Sequence, residues 1–188
     1  MPAFEIASQM LRGARLRAAL PYIEGRVLDV GCGGGVLYDL LGPRPDYLGI
    51  DVAAGAVETA CRLHPGGRFL RMDVEAEPPP CEPPFDTICM LAVIEHLHNP
   101  AGLIERYMPA LKEGGRLVVT SPSPSGDRLH RLLQRLGLAR KEVSDVHISV
   151  LGLKEMKEML EAMGMEVLVA RRFELGMNQL LVARKRAG

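Results

Sequence analysis

Four glycines stand close together near the start of the chain, directly after a short apolar run. Residues 27–35 read VLDVGCGGG, which places glycines at positions 31, 33, 34 and 35. Glycine tolerates positive φ angles and lets the backbone approach a ligand without a Cβ clash. If a helix follows, its free N–H groups and its partial positive charge face the same space. The segment therefore predicts a loop that binds a dinucleotide pyrophosphate or a nucleoside carrying an anionic tail.

The spacing of these glycines separates the two ligand classes. The dinucleotide-binding fingerprint is G-x-G-x-x-G/A. Counted from Gly31 its last position falls on Val36, and counted from Gly33 it falls on Tyr38. The fingerprint fails in both registers, so a nicotinamide cofactor is disfavoured.

Two acidic residues follow the next two apolar runs. Asp51 comes twenty residues after Gly31, where a carboxylate can accept hydrogen bonds from two ribose hydroxyls. That role serves nicotinamide and adenosyl cofactors equally. Asp73 stands at the end of the following run, where an acceptor can bind the exocyclic amine of an adenine. The alternative for Asp73 is an acid at a strand end that faces only water.

The elements that must position these residues alternate along the chain. Short β-type runs alternate with helical patterns, which indicates a parallel sheet with helices on both faces. The predicted strands cover 26–30, 47–50, 68–74, 85–91, 116–120, 166–172 and 178–183, and the predicted helices cover 5–20, 36–41, 53–63, 101–111 and 153–163. Only about five residues connect the last two strands, too few for a parallel crossover, so this pair is predicted to be antiparallel.

Composition bounds the class of protein. The 188 residues form one predicted domain, 1–188, with its first helix inside 1–24. Lys plus Arg and Asp plus Glu each number 23, and aromatic residues make up 4% without tryptophan. Zero net charge and few aromatic rings argue against a nucleic-acid binder. The four cysteines show no C-x-x-C spacing, so neither a metal site nor a redox pair is predicted. Charges interrupt every apolar run, so we expect a cytoplasmic protein.

The order of these motifs resembles that of the class I S-adenosylmethionine-dependent methyltransferases, and within them the small-molecule, quinone-biosynthesis-like branch (methyltransferase types 11 and 23). The first motif of the family, D-x-G-x-G-x-G, and its acids after strands two and three are matched by Asp29, Gly31, Gly33, Gly35, Asp51 and Asp73. Three later blocks of the family follow in order at 94–97, 111–115 and 147–164. One motif alone is weak evidence, whereas six in sequence are strong.

The resemblance implies a Rossmann-like, doubly wound α/β fold with seven strands, mostly parallel with an antiparallel last strand. It also implies S-adenosylmethionine (SAM) as the cofactor, S-adenosylhomocysteine (SAH) as the product, and a small-molecule acceptor methylated at oxygen. The residues that it implies at the methionyl portion, the ribose, the adenine and the sulfonium are, in chain order, Asp29, Gly31, Cys32, Gly33, Gly35, Asp51, Val52, Asp73, Val74 and Leu91.

The acceptor side offers one candidate base. His147 stands just before the last long predicted helix, where some relatives place a histidine that faces the substrate. An imidazole titrates near neutrality and suits the removal of a proton from a hydroxyl acceptor. The alternative is a structural histidine bonded to a loop carbonyl. Glu95 and His96 carry a similar choice between bordering the acceptor and holding the loop after strand four.

Residues 121–149 do not fit the alternation and are predicted to form a lid-like insertion. A Ser/Pro/Gly loop at 121–126 precedes a basic helix over 127–141, in which leucines at 129, 132, 133 and 136 share one face. This helix would cover the site as a lid, attract an acidic acceptor, or lie on a membrane surface. The alternative is a solvated helix whose leucine stripe packs inward.

Two rival functions stay open at this point. A SAM-binding regulator or partner subunit without turnover would carry the same motifs, because binding motifs say nothing about the acceptor pocket. An NAD-dependent oxidoreductase is disfavoured by the failed fingerprint, by Asp73 and by the antiparallel final pair. The sequence leaves the oligomeric state open.

Overall fold

The computed structural model describes residues 13–42, 46–80, 82–135, 148 and 150–187. One sheet holds the strands of this part of the chain, which are β1 (Val27–Val30), β2 (Tyr47–Asp51), β3 (Arg68–Arg71), β4 (Phe85–Leu91), β5 (Leu111–Pro122), β6 (Met165–Phe173) and β7 (Asn178–Lys185). Their order is β3-β2-β1-β4-β5-β7-β6. The first five strands pair in parallel, and β7 runs antiparallel to both β5 and β6. The predicted sheet is confirmed, including its antiparallel final pair.

Helices cover both faces of the sheet. They are α1 (13–19), α2 (Val36–Leu41), α3 (Ala54–Leu63), α4 (Pro100–Tyr107), α5 (Pro124–Arg135) and α6 (Leu153–Ala162). Buried residues of α1, α2 and α3 form one apolar cluster, and those of α4 and α6 form the other. Within the described residues, no helix is long and apolar enough to cross a membrane.

The strand β1 lies inside the sheet between β2 and β4, and its burial follows from its sequence. All four residues of β1 are buried, as expected for a parallel strand with helices on both faces. Leu28 and Val30 join the cluster under α4 and α6, whereas Val27 joins the cluster under α1 to α3. Alternate side chains of a strand point to opposite faces, so β1 anchors both layers. The glycine-rich loop therefore leaves a strand that is buried on both faces.

The third strand is shorter than predicted. The pattern predicted a strand over 68–74, but β3 ends at Arg71, which pairs with Asp51. Beyond it, the backbone carbonyl of Asp73 accepts hydrogen bonds from the N–H groups of Ala76 and Glu77 at 3.1 and 2.7 Å. These bonds turn the chain away from the sheet. Asp73 thus lies in the loop after β3 and not at the last strand position.

The fourth helix is also shorter than predicted. The pattern predicted a helix over 101–111, but α4 ends at Tyr107 and a 3-10 turn over Met108–Ala110 follows. Pro109 lacks the N–H group that a continuing α-helix requires and its ring crowds the preceding turn. The helix therefore closes before the residue that begins β5.

The fifth strand is longer than predicted. The pattern predicted a turn at 114–115 and a strand over 116–120, but β5 already begins at Leu111. Its pairing with β4 shifts register between Phe85 and Thr87. Gly114 has a φ of +75° and lies where the extra residues of β5 bulge out of the ladder. The glycine pair marks a bulge and not a turn between elements.

Of the alternatives left open for the basic helix, the inward leucine stripe does not hold for two of its leucines. Leu129 and Leu132 on α5 are 41% and 50% exposed. The buried residues at the start of α5 are Gly126 and Asp127, because the turn between β6 and β7 approaches the helix there. Ser123 before the helix bonds this turn, donating its N–H to Met177 O at 2.8 Å. A small residue is needed at this crossing, which the leucine periodicity could not reveal.

Substitution of Gly126 by alanine is expected to destabilise the fold. A Cβ atom at this position would lie 2.1 Å from the backbone oxygen of Met177, so either α5 or the β6–β7 turn must shift. Overpacking of this kind costs about 1–3 kcal/mol. Urea unfolding should show that loss for Gly126→Ala. Gly55→Ala is the matched control: its Cβ meets nothing within 4 Å, and alanine favours the helix. Equal stability of the two variants would contradict the close approach.

Candidate functional site

The carboxyl ends of β1, β2, β3 and β4 meet at one edge of the sheet. The chain leaves β1 toward β2 on one side, whereas β4 lies on the other side of β1. Open α/β sheets bind ligands at such a switch point, in the crevice beyond the strand ends. Every cofactor residue that the sequence predicts lies near the ends of these four strands or in the loops that follow them. The topology thus brings them to one edge.

The glycine-rich loop folds tightly over the end of β1. The N–H groups of Gly31 and Cys32 donate to the carbonyl of Ile50 at 2.8 and 3.1 Å. Gly31 has a φ of +74°, and a Cβ there would lie 2.4 Å from a methyl carbon of Val93. Gly33 has a φ of +54°, and a Cβ there would meet nothing within 4 Å. Gly31 is therefore fixed by its neighbours, whereas Gly33 lies beside open space in which a ligand can approach the backbone.

Asp51 contacts this loop directly. Its Oδ2 atom accepts a hydrogen bond from the N–H group of Gly33 at 2.9 Å, and its Oδ1 atom accepts one from Ala53 at 2.9 Å. Each carboxylate oxygen can accept a second hydrogen bond. The half-buried side chain is thus held in place and still able to receive two hydroxyl groups. The structure brings together Gly33 and Asp51, which the sequence had assigned to one ligand.

Cys32 lies inside the loop with its side chain 7% exposed. Burial raises the pKa of its thiol, and the nearby carboxylates of Asp29 and Asp51 raise it further. A thiol that keeps its proton is a poor nucleophile. The backbone of Cys32 shapes the loop, and its sulfur has no evident chemical role.

Asp29 lies below the loop in the protein interior. Its side chain is 3% exposed, and the hydroxyl of Tyr47 donates to its Oδ2 atom at 2.5 Å. Burial raises the pKa of Asp29 to about 7, although the bond from Tyr47 opposes the rise. In the described residues Asp29 thus supports the end of β1 from inside. Direct contact between Asp29 and a ligand stays a prediction.

The loop after β3 is ordered by its own acids. The Oδ1 atom of Asp73 accepts a hydrogen bond from the N–H group of Glu75 at 3.0 Å, and its own N–H group donates to Glu77 Oε1 at 2.8 Å. The side chain of Asp73 is exposed at this edge. A carboxylate that accepts one bond within its turn keeps acceptor capacity for a ligand amine. Binding of an adenine amine by Asp73 stays a prediction.

Arg106 on α4 holds the same loop from the other side, a contact that sequence reasoning missed. Its guanidinium donates to the carbonyls of Val74 and Glu75 at 2.9 and 3.2 Å. His98 adds a hydrogen bond from its N–H group to Glu75 Oε1 at 2.9 Å. Burial would raise the pKa of Glu75, but the bonds from His98 outweigh it and lower that pKa. Nothing in the linear pattern singles out Arg106, because the contact depends on how α4 is rotated.

Val52 and Leu91 complete the predicted set. Val52 is 59% exposed directly after the end of β2. Leu91 ends β4 and is half-buried. The next residue, Ala92, has a φ of +61° and donates its N–H group to Thr120 O at 2.8 Å. A positive φ is unfavourable for alanine, and such strain occurs most often at functional sites.

The acceptor side is described only in part. His147 lies outside the described residues, and its role stays a prediction. Its neighbour Ile148 donates a hydrogen bond to the backbone carbonyl of Glu95 at 2.8 Å, which places the chain at 148 beside the loop after β4. Glu95 itself is 1% exposed. Its backbone helps to hold this loop, as one of the two alternatives for the Glu95–His96 pair requires.

Among the described residues, no group of three or more His, Cys, Asp or Glu side chains could hold a metal ion. What the site offers is a nucleoside-sized edge. It has open space beside the backbone of Gly33, an acceptor for a diol at Asp51, an exposed apolar side chain at Val52 and an acceptor for an amine at Asp73. We find these along three consecutive strand ends.

Comparison with known proteins places this geometry in a family. A family model described as a methyltransferase domain matches residues 6–170. The chain is 36% identical over 126 residues to trans-aconitate 2-methyltransferase from Methylobacterium nodulans, covering 65% of this chain and 47% of that protein. It is 35% identical over 111 residues to ubiquinone biosynthesis O-methyltransferase from Xylella fastidiosa, covering 54% and 44%. The chain spans less than half the length of both curated relatives.

A solved structure shares the fold. An S-adenosylmethionine-dependent methyltransferase from Mesorhizobium loti superposes with a TM-score of 0.70 at 19% identity, covering 92% of this chain and 96% of that one. At this identity the likeness speaks for the architecture alone. The predicted Rossmann-like fold class is confirmed.

Proposed function

The chain belongs to the class I SAM-dependent methyltransferase family, and from that premise we propose that it transfers the methyl group of SAM to an oxygen atom of a small-molecule acceptor. One observation carries the proposal. The side chain of Asp51 accepts a hydrogen bond from the N–H group of Gly33 at 2.9 Å. The acid predicted to bind the ribose and the loop predicted to bind the methionyl portion therefore form one surface at the switch point of the sheet. A SAM molecule laid across this edge meets each predicted group in turn.

The cofactor contacts follow the order of the strand ends. The backbone of Gly31 and Gly33 faces the methionyl portion, and Asp51 accepts hydrogen bonds from both ribose hydroxyls. Val52, 59% exposed, covers one face of the adenine. Asp73 accepts from the adenine amine. Binding sites for nucleosides combine apolar side chains, which cover the base, with a few placed polar groups, which fix its orientation. The contacts proposed here are of both kinds.

Two further residues act next to these groups. The N–H group of Val74 donates to the adenine ring, and its carbonyl is held by Arg106 at 2.9 Å. The carbonyl of Leu91 accepts from the cofactor amino group, below the sulfonium. Asp29 supports the end of β1 from inside. Cys32 contributes its backbone and Gly35 the start of α2.

The chemistry asked of this chain is mainly alignment. Bound SAM supplies a methyl group activated by the positive sulfur. The residues at the edge hold the acceptor in line with that methyl group and exclude water. His147 takes the proton from the acceptor hydroxyl as the oxygen–methyl bond forms and the sulfur–methyl bond breaks. The role of His147 as the base is proposed from its sequence position. The hydrogen bond from the N–H group of the neighbouring Ile148 to Glu95 O supports it.

Oxygen is the proposed acceptor atom because the family relatives favour it. One curated relative is named an O-methyltransferase, and the other is named for a small carboxylic acid. Since the chain spans less than half of each, the substrate is proposed only as a small molecule with an ionisable oxygen. A screen of small molecules for SAH release would identify the acceptor.

Calorimetric titration of the purified protein tests the cofactor assignment. SAM and SAH are each expected to bind with Kd values on the order of micromolar, whereas NAD should show no heat of binding. The reason is that Asp73 and the glycine spacing suit an adenosyl cofactor with a short charged tail. Binding of NAD in preference to SAM would contradict the proposal, as would a folded protein that binds neither SAM nor SAH.

A further inference from the structure

We propose that His64 is a positioning residue for the cofactor, because its imidazole fixes the orientation of the glycine-rich loop from behind. The Nε2 atom of His64 lies 3.2 Å from the carbonyl oxygen of Gly34. This inference rests on the proposed function, since it concerns how the same loop binds SAM. His64 touches the loop and not the cofactor.

The position of His64 is set by its own backbone. It closes α3, where its N–H group donates to Ala60 O at 2.9 Å and its carbonyl accepts from the N–H group of Gly67 at 2.9 Å. The side chain is 8% exposed. The ring is buried, and the backbone that carries it is hydrogen-bonded through both its N–H and its carbonyl group. The ring therefore has little freedom to rotate away from the glycine-rich loop.

Packing fixes the plane of the ring. The centroid of the His64 ring lies 5.5 Å from that of Tyr38 and 5.9 Å from that of Phe69. A Cβ atom at Gly35 would lie 2.6 Å from Cδ2 of His64. The last glycine of the D-x-G-x-G-x-G motif is thus required here by the ring behind it. The loop and the ring fit together.

The bond to Gly34 controls one peptide group. The peptide between Gly34 and Gly35 has its carbonyl facing His64 Nε2 at 3.2 Å and its N–H group donating to Cys32 O at 3.0 Å. With both ends bonded, the peptide plane cannot rotate without losing a hydrogen bond. Glycine-rich loops otherwise lose much conformational freedom when they bind a ligand. The bond from His64 therefore reduces the ordering that SAM must impose.

Asp39 contributes a charge to the same contact. Its Oδ1 atom on α2 lies 3.1 Å from Nδ1 of His64. The Gly34 carbonyl and the Asp39 carboxylate are both acceptors, and one lies beside each ring nitrogen of His64. The imidazole thereby links the loop to the first turn of the helix that follows it. The groups facing the ring are Gly34, Asp39, Tyr38 and Phe69.

Two matched variants separate positioning from packing. Gln and Met have similar length and volume, but only Gln carries an N–H donor that reaches where Nε2 lies. We expect His64→Gln to bind SAM within about threefold of the wild type and His64→Met to bind about five- to tenfold more weakly, as loss of one hydrogen bond implies. Both are measured by calorimetry with SAM, and thermal unfolding checks that the two have equal stability.

A third variant tests whether packing of the ring, and not its hydrogen bond, determines the affinity for SAM. His64→Phe keeps the ring and lacks the donor, so it should resemble His64→Met. SAM binding by His64→Phe or His64→Met that equals the wild type, or that exceeds His64→Gln, overturns the inference. If the wild type binds neither SAM nor SAH, the proposed function fails and the inference fails with it. If the wild type binds and the three variants bind alike, the inference alone fails.

Discussion

Asp51→Ala is expected to abolish most of the affinity for SAM. The carboxylate is proposed to accept two ribose hydrogen bonds, each worth about 1.5–3 kcal/mol because the acceptor is charged. Their loss corresponds to a rise in Kd of about 100-fold to 10,000-fold. The substitution also removes the acceptor for the N–H group of Gly33, which lies 2.9 Å from Oδ2. Calorimetry with SAM and SAH measures both Kd values.

The control for this variant lies next to the same strand. Asp46→Ala makes the same change of charge just before β2, at the end remote from the site. The backbone carbonyl of Asp46 accepts from the N–H group of Val27 at 2.7 Å, a bond that alanine keeps. This variant should bind SAM as the wild type does. A folded Asp51→Ala protein with unchanged affinity would show that the ribose lies elsewhere.

Much of this site could be predicted because its signals are local. The glycines at 31, 33 and 35 all have positive φ, a requirement that residue type alone reveals. Asp51 ends an apolar run, and parallel strands bring their carboxyl ends to one edge without further information. The prediction that Gly33 and Asp51 share a ligand therefore needed only spacing and the α/β alternation.

The residues that hold the loops could not be predicted in this way. His64 meets Gly34 across 30 positions of sequence, and Arg106 meets Val74 across 32. Such contacts depend on the rotation of α3 and α4 about their axes, which packing of the whole core decides. A lone histidine before a Pro-Gly-Gly turn carries no linear signal of its partner.

The errors have a related origin. The leucine periodicity of α5 left an inward-packed stripe as one alternative, yet Leu129 and Leu132 are 41% and 50% exposed. Periodicity shows that a helix has an apolar face, but it does not show which surface meets that face. At the crossing with the β6–β7 turn, the residue that packs closely is Gly126, where a Cβ atom would lie 2.1 Å from Met177 O.

The contribution of Asp29 to the stability of the protein should fall as the pH rises from about 4 to about 7. Burial raises the pKa of Asp29 from its ordinary value of 3.8 to about 7 in the folded state. Below pH 4 both states hold the proton. Between the two pKa values the unfolded state releases it while the folded state keeps it, so the free energy of unfolding falls with pH. At about 1.4 kcal/mol for each pKa unit, the total loss is about 4 kcal/mol.

Asp29→Asn isolates this contribution from the other titrating groups. The amide oxygen still accepts from the Tyr47 hydroxyl, which lies 2.5 Å from Oδ2 in the wild type, but the side chain cannot ionise. Acids on the surface such as Glu82 and Asp86, whose pKa values are lowered by their basic partners, change stability in the opposite direction and cancel in the comparison. Urea unfolding at pH 4, 6 and 8 should show the variant gaining about 4 kcal/mol on the wild type across that range. A constant difference between the two proteins would mean that Asp29 is ionised in the fold at pH 6, and that β1 tolerates a buried charge directly beneath the loop.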